Sequence, residues 1–326
     1  MTDKPKQYIV DEKSAGKRLD VFLVSILPNF SRSKIQDFLK NRLITINGKS
    51  MKSSYKIEKG DLLEINPEIF NRNNLSIQPE NSKIEIIFEN DDFLVVNKPA
   101  GIITHPTEKI RKNTLVNWLA NHDKKILEVV IDKNNPVSKM RPGIVHRLDK
   151  DTSGVMIVAK NLRTMKYLSN EIKKHKIEKT YMALCFGWLP KKGILKNFLG
   201  RKKSQGKFSV VKKSEGREAV LNFKSIKYFQ LDSGEKMTLA EIKLVTGRTH
   251  QIRVQFATTG NWILGDKLYN SKESKSLSKI LGISRQLLQA KQISFDFLTA
   301  KHFNFSATLL EDFENILSEI EKFEVK

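Results

Sequence analysis

The chain has a single cysteine, Cys185. An internal disulfide and a cysteine-built metal site are both excluded. Cys185 lies in the apolar run Tyr181-Met-Ala-Leu-Cys-Phe186 and reads as an inert core residue. No apolar stretch approaches the roughly 18 residues of a membrane span, and the polar start Met1-Thr-Asp-Lys-Pro-Lys6 carries no apolar signal core. A cytoplasmic location is the expectation. Glycine patterns that cradle phosphates, of the Walker or dinucleotide type, are missing. Thr152-Ser153-Gly154 does not supply the Gly-x-Ser-x-Gly turn of a serine hydrolase. His105, His146, His250 and His302 include no pair at i, i+4, so no metal centre is expected. Internal repeats and low-complexity tracts are absent too. Acidic residues are in short supply, with 36 against 58 lysines and arginines, a formal charge of +22. Such a balance predicts a polyanionic partner. Together with the domain pattern below, it points to nucleic acid rather than to a merely solvated lysine-rich surface.

What is present suffices for a real core. At 326 residues and 39% hydrophobic content, the chain accommodates one large domain and one small one. Residues 11–66 form a compact basic unit. Leu19, Phe22, Leu23, Ile26 and Leu27 recur at helical spacing, and Pro28 stops that helix. Ser31 or Ser33 is placed to cap a second helix carrying Ile35, Phe38 and Leu39. Residues 43–49 alternate towards an Asn-Gly turn, and Gly60-Asp-Leu-Leu-Glu-Ile65 gives another strand. Lys17-Arg-Leu-Asp20, Ser31-Arg-Ser33 and Ile44-Thr-Ile-Asn-Gly48 resemble the alpha-L RNA-binding domain of the fourth small-subunit ribosomal protein. That resemblance implies that Arg32 and Lys34 face RNA. Residues 67–83, rich in Asn, Ser, Pro and charge, read as a linker.

A new core begins at residue 84 and is expected to run to 315, followed by a C-terminal tail at 316–326. Strands over 84–89 and 93–97 form a hairpin, and Pro99 and Gly101 bend the chain around Lys98. Leu115, Trp118 and Leu119 share one helical face. Asn161 caps a further helix, and a strand over 179–187 places Tyr181 near its start. The very basic segment 191–217 reads as an exposed hairpin or loop suited to phosphates. Strands follow at 219–223, 225–229 and 237–245. A helical pattern at 284–289, a strand from residue 293 and a helix from about residue 310 close the chain. The fold class is α+β, the large domain being a mainly antiparallel mixed sheet.

Two polar clusters carry the chemistry. Arg141 to Lys160 is a dense polar loop running into Val155-Met-Ile-Val-Ala159, apolar on both faces like a strand covered on both sides. Thr246-Gly-Arg-Thr-His-Gln-Ile-Arg253 repeats the pattern. Asp149, flanked by basic residues, is a candidate nucleophile, because a carboxylate held next to arginine stays ionised. Asp151 is its rival, and a purely structural Asp149 anchoring a turn is the bland alternative.

His146-Arg-Leu-Asp-Lys-Asp-Thr-Ser-Gly154, with Asn97-Lys-Pro-Ala-Gly101, His105-Pro106 and residues 246–253, closely resembles the RluA family of pseudouridine synthases, nearest to its large-subunit ribosomal RNA members of the RluD and RluC types. The resemblance implies an isomerase without cofactor. Asp149 would act on the target nucleotide, by attack at the sugar or through a glycal route. Arg253 would pair with Asp149, Tyr181 would stack on the uracil, and Arg147 would fill the place the base vacates; Arg248 is a further RNA-contact candidate. The partner implied is large-subunit ribosomal RNA or a pre-ribosomal particle, with the protein acting as a monomer. Transfer RNA as substrate, or a non-catalytic role in ribosome assembly, are the alternatives. The chain departs from the family pattern at Asn261-Trp262 and Gln289-Ala290, outside this chemistry.

Overall fold

The computed structural model describes residues 5–28, 30, 32–71, 77–107, 110–133, 135–202, 206–298 and 301–325. The chain divides into two compact units: Met1–Ile77 with Asp132–Met140, and Gln78–Ile131 with Arg141–Lys326.

The first unit runs β1 (Lys6–Ile9), α1 (Leu19–Ile26), α2 (Arg32–Lys40), β2 (Ile44–Ile46), β3 (Leu62–Ile65) and α3 (Glu68–Asn71). Its three strands form an antiparallel sheet in the order β1-β3-β2. The helical spacing of apolar residues does what the sequence pattern requires: Leu19, Leu23, Ile35, Phe38 and Leu39 are buried together with Ile44, Ile46, Leu63 and Ile65. Asn47 and Gly48 both take left-handed backbone (φ 49° and 72°), as a tight Asn-Gly turn demands. Ser33 lies inside α2 and is not its cap, and Ser31 falls outside the described residues. β1 adds a strand ahead of residue 11. α3 opens the stretch expected as a linker, of which residues 72–76 lie outside the described residues.

The second unit begins with β4 (Glu85–Glu89), β5 (Phe93–Lys98) and α4 (Leu115–His122); α5 (Pro136–Lys139) groups with the first unit. It continues with β6 (Ser153–Ala159), α6 (Leu162–Lys173), β7 (Glu178–Phe186), β8 (Lys192–Arg201), β9 (Phe208–Val210), β10 (Arg217–Gln230) and β11 (Lys236–Leu244). Then follow α7 (Gln251–Thr258), α8 (Lys272–Ile280), β12 (Leu288–Asp296), β13 (His302–Ser306), α9 (Glu311–Ile320) and β14 (Glu324–Val325). One sheet takes the order β4-β5-β6-β12-β7-β11-β10-β8-β9, with β13 on β12 and β14 on β10. Among these pairings β6 with β12 is parallel and the rest are antiparallel.

This topology brings distant segments into one row. Gly154 on β6 is in register with Ala290 on β12, which is in register with Tyr181 on β7. Neighbouring strands lie about 4.8 Å apart, so Tyr181 stands about 10 Å across the sheet from the start of β6. A Cβ at Gly154, where φ is +115°, would collide with the backbone of Ala290. Only glycine permits this close approach. Every residue of β6 is buried, which makes it a rigid mount for the loop ahead of it.

Three local expectations are corrected. Residues 284–287 are irregular rather than helical, because Arg285 and Gln286 turn inward to bind the loop before β6, and β12 starts at Leu288. The helix of this region lies earlier, at α8, capped by Ser271. The strands expected at 219–223 and 225–229 are one strand, β10, with an irregularity between Ser225 and Lys227. The basic segment 191–217 is largely the β8–β9 hairpin, and residues 203–205 of it fall outside the described residues. At the C-terminal end, α9 buries Phe313 and Ile320, and β14 pairs with β10, so much of 316–326 is packed structure.

Candidate active site

The loop that precedes β6 is fixed at nearly every residue. His146 Nε2 accepts from the Ile157 amide at 2.9 Å. Thr104 Oγ1 donates to the Leu148 carbonyl at 2.9 Å and accepts from its amide at 3.2 Å. Buried Lys98 donates to the carbonyls of Pro99, Ile102 and Lys150 at 2.7, 2.8 and 3.2 Å. Three acceptors match the three donors of an ammonium, which is why a lysine can be buried here. Burial draws its pKa down to about 7, against the opposing fields of Asp149 and Asp151. Arg285 donates to the Asp151 carbonyl, and Gln286 to Thr152 Oγ1. The consequence is a backbone held still on both sides of Asp149.

Asp149 itself points to α7. Arg253 Nη1 donates to Asp149 Oδ2 at 2.8 Å, while its Nε and Nη2 grip Asp266 at 2.7 and 2.9 Å. Asp266 Oδ1 also accepts from the amides of Leu268 and Tyr269, so this carboxylate is anchored before it meets the arginine. Burial works against the Arg253 charge, and Asp266 with Asp149 overcomes it, raising the pKa. His250, left-handed at φ 54° just ahead of α7, sets Nε2 3.7 Å from Asp149 Oδ2 and Nδ1 3.0 Å from the Tyr269 hydroxyl. Burial lowers its pKa although Asp149 pulls the other way. No partner for Asp149 Oδ1 is found among the described residues.

Asp149, His250 and Arg253 line a cavity of about 520 Å³, together with Tyr181, Arg147, Lys179, Arg217 and Arg248. Tyr181 is 6% exposed, and burial, with the Asp149 charge, raises its pKa, so the phenol stays neutral. A neutral aromatic face beside one carboxylate, within walls that carry several cations, suits a single base attached to a phosphate chain.

The residues proposed from sequence fall in two places. Asp149, Tyr181, Arg253, Arg147 and Arg248 share the cavity. Arg147 is exposed, and Arg248 donates its Nε to the Glu218 carbonyl at 2.9 Å. Arg32 and Lys34 belong to the first unit. There Arg32, with Arg18 and Gln36, binds the buried Asp20 carboxylate, and Lys34 Nζ sits 5.5 Å over the Phe38 ring. Asp151 is not part of the cavity wall. Asn261 hydrogen-bonds the carbonyls of Phe186 and Trp188, and buried Gln289 bonds Ser153, Thr308 and Leu310, so both departures serve the scaffold. Asp266, Lys179 and Thr104 were not singled out in the sequence. The legible hint for Asp266 is Gly265-Asp266 followed by Tyr269, an Asp set to bind amides two and three residues on. Among the described residues no cluster of three His, Cys, Asp or Glu could hold a metal ion, and no helix is long and apolar enough to cross a membrane.

Comparison with known proteins finds two family matches along the chain. Residues 92–258 match the RNA pseudouridylate synthase family, and residues 17–63 match the S4 domain. An uncharacterized RNA pseudouridine synthase of Aquifex aeolicus is 38% identical over 83% of this chain and 84% of its own length. The ribosomal large subunit pseudouridine synthase D of Neisseria meningitidis serogroup A is 32% identical over 93% of this chain and 79% of its own. The solved structure of human RNA pseudouridylate synthase domain containing 4 shares the fold, with a TM-score of 0.57 at 21% identity, covering 74% of this chain and 94% of that one. Fold, cavity and matches define an RNA-modifying isomerase. The chain belongs to the RNA pseudouridylate synthase family.

Proposed function

We propose that this enzyme isomerises specific uridines of large-subunit ribosomal RNA to pseudouridine, with Asp149 as nucleophile and no cofactor. The observation that carries the reading is the Asp149 carboxylate. One oxygen, Oδ2, is held by Arg253 at 2.8 Å, and the residue opens onto a cavity wall shared with Tyr181. The remaining oxygen, Oδ1, attacks the ribose C1′ as the C1′–N1 bond breaks. The uracil, released as an anion, turns over Tyr181. Its C5 then bonds to C1′ and displaces the carboxylate, C5 loses its proton and N1 gains one. Atoms balance within a single nucleotide, which is why no cofactor enters. A base inside folded RNA must leave its stack, at roughly a few kcal/mol. Stacking on Tyr181, on the order of 1–3 kcal/mol, offsets that cost. Arg147, exposed beside Asp149, fills the gap in the RNA helix.

Large-subunit ribosomal RNA as the substrate is supported by the Neisseria relative's name and by the S4 match at 17–63. We take residues 11–66 as the alpha-L RNA-binding module, with Arg32 and Lys34 towards RNA, 67–83 as linker and 84–315 as the catalytic domain. The S4 and synthase matches each fall inside one of these divisions. The protein works as a monomer in the cytoplasm. Mapping pseudouridines in ribosomal and transfer RNA, with and without the gene, tests the substrate. Loss of one or a few sites in large-subunit RNA is expected; loss confined to transfer RNA overturns the ribosomal reading.

A further inference from the structure

Lys179 is a cation in the cavity that the reaction above does not use. It stands on β7 two residues before Tyr181, and side chains two apart on a strand share a face, so both line the same wall. A Cβ at Gly247 would lie 3.7 Å from Lys179 Nζ, which sets the ammonium over the turn leading into α7. Its charge also reaches His146.

Three other buried cations here are matched. Arg253 meets two carboxylates, Lys98 three carbonyls, and Arg285 the Asp312 carboxylate. For Lys179, burial acts without compensation from any carboxylate or acceptor among the described residues. A partly desolvated charge with no partner is unfavourable until an anion arrives.

We propose that Lys179 anchors a phosphodiester of the target nucleotide, the phosphate next to the uridine whose base lies on Tyr181. Two residues of strand span about 6.6 Å, the scale on which a nucleotide's base is separated from its own phosphate. Arg147, Arg217 and Lys173 are exposed on the rim and suit phosphates further along the strand, whereas Lys179 sits within the wall. Lys179 thereby acts as a positioning residue: it fixes how deep the nucleotide enters, and so where C1′ meets Asp149. The proposal rests on the reading of the cavity given above.

The test is tritium release from a large-subunit ribosomal RNA transcript carrying [5-³H]uridine, measured in single turnover with full-length protein. Lys179→Met and Lys179→Gln keep the stem and remove the charge. Both are expected to raise the half-saturating concentration about tenfold, the loss of one charged hydrogen bond. Both should also flatten the slope of log affinity against log salt by about 0.7 to 0.9, one phosphate contact fewer. Lys179→Arg should restore the slope. Half-saturation and slope unchanged in an active, folded Lys179→Met or Lys179→Gln overturn the anchor alone. A loss confined to the limiting rate overturns it as well. Wild-type protein that releases no tritium from any cellular RNA overturns the reading of the cavity and this proposal with it.

Discussion

Replacing Asp266 with asparagine isolates what holds Arg253, the proposed partner of the nucleophile. Asp266 binds Arg253 through two hydrogen bonds of 2.7 and 2.9 Å and is itself tied to the amides of Leu268 and Tyr269. In Asp266→Asn the remaining oxygen can serve the two amides and one guanidinium N–H. The amide NH2 then faces the Arg253 Nε–H, donor against donor. Removing one partner of a buried ion pair costs on the order of 3–5 kcal/mol. Asp149 remains as a counter-ion, so about 3 kcal/mol is the expected loss. Denaturant unfolding followed by tryptophan fluorescence reads it cleanly, because Trp118, Trp188 and Trp262 all belong to the second unit. With the Nε bond lost, Arg253 can leave the asparagine oxygen and turn Nη1 and Nη2 together onto Asp149, since guanidinium and carboxylate favour bidentate pairing. That would occupy the attacking oxygen, so single-turnover tritium release should fall at least about tenfold with little change in RNA half-saturation. Stability within about 0.5 kcal/mol of wild type, together with an unchanged rate, would refute the claim that Asp266 positions the site.

Further expectations concern the scaffold. Gly154→Ala should destabilise the second unit by more than about 2 kcal/mol, because φ is +115° and the new methyl meets the Ala290 backbone; the same fluorescence assay checks it. Thr104→Val removes the hydroxyl shared by the Leu148 amide and carbonyl, and should cost on the order of 1–3 kcal/mol and slow turnover by loosening the Asp149 loop. His146 accepts from the Ile157 amide, and burial, helped by Lys179, lowers its pKa from 6.5 to about 3. Between those values the unfolded chain binds a proton that the folded chain does not. The contribution of His146 is therefore full above pH 6.5 and lost as pH falls towards 3. Unfolding midpoints measured from pH 7 to 4.5 should drop more steeply for wild type than for His146→Gln, which keeps an acceptor without the titration.

Much of this site was visible in the chain because its residues are local and unusual. The run from His146 to Gly154, feeding five buried apolar residues, marks a loop mounted on a strand, and Asp149 stands at its centre. The small module was legible from helical spacing and an Asn-Gly turn. What composition and spacing alone could not reveal was partnership at long range. By spacing Arg253 reads as one more basic residue, and only the family resemblance pairs it with Asp149; α7 turns it between Asp149 and the unforeseen Asp266, 104 and 13 residues away in sequence. Residues 284–287 carry a helical pattern, yet buried Arg285 and Gln286 find their partners only by leaving the helix, and polar satisfaction outweighs local propensity there. Pro99 and Gly101 mark the bend around Lys98 in the sequence, and the three carbonyl acceptors of Lys98 explain how it shapes the loop.

The central claim is that the Asp149 carboxylate performs the chemistry. Asp149→Asn keeps size and one acceptor for Arg253 while removing the nucleophilic charge. Purified variant and wild type would be incubated with [5-³H]uridine-labelled large-subunit RNA, with binding followed in parallel. The account predicts RNA affinity within about threefold of wild type and no tritium release above background. Release from the asparagine variant at a rate comparable to wild type would contradict it.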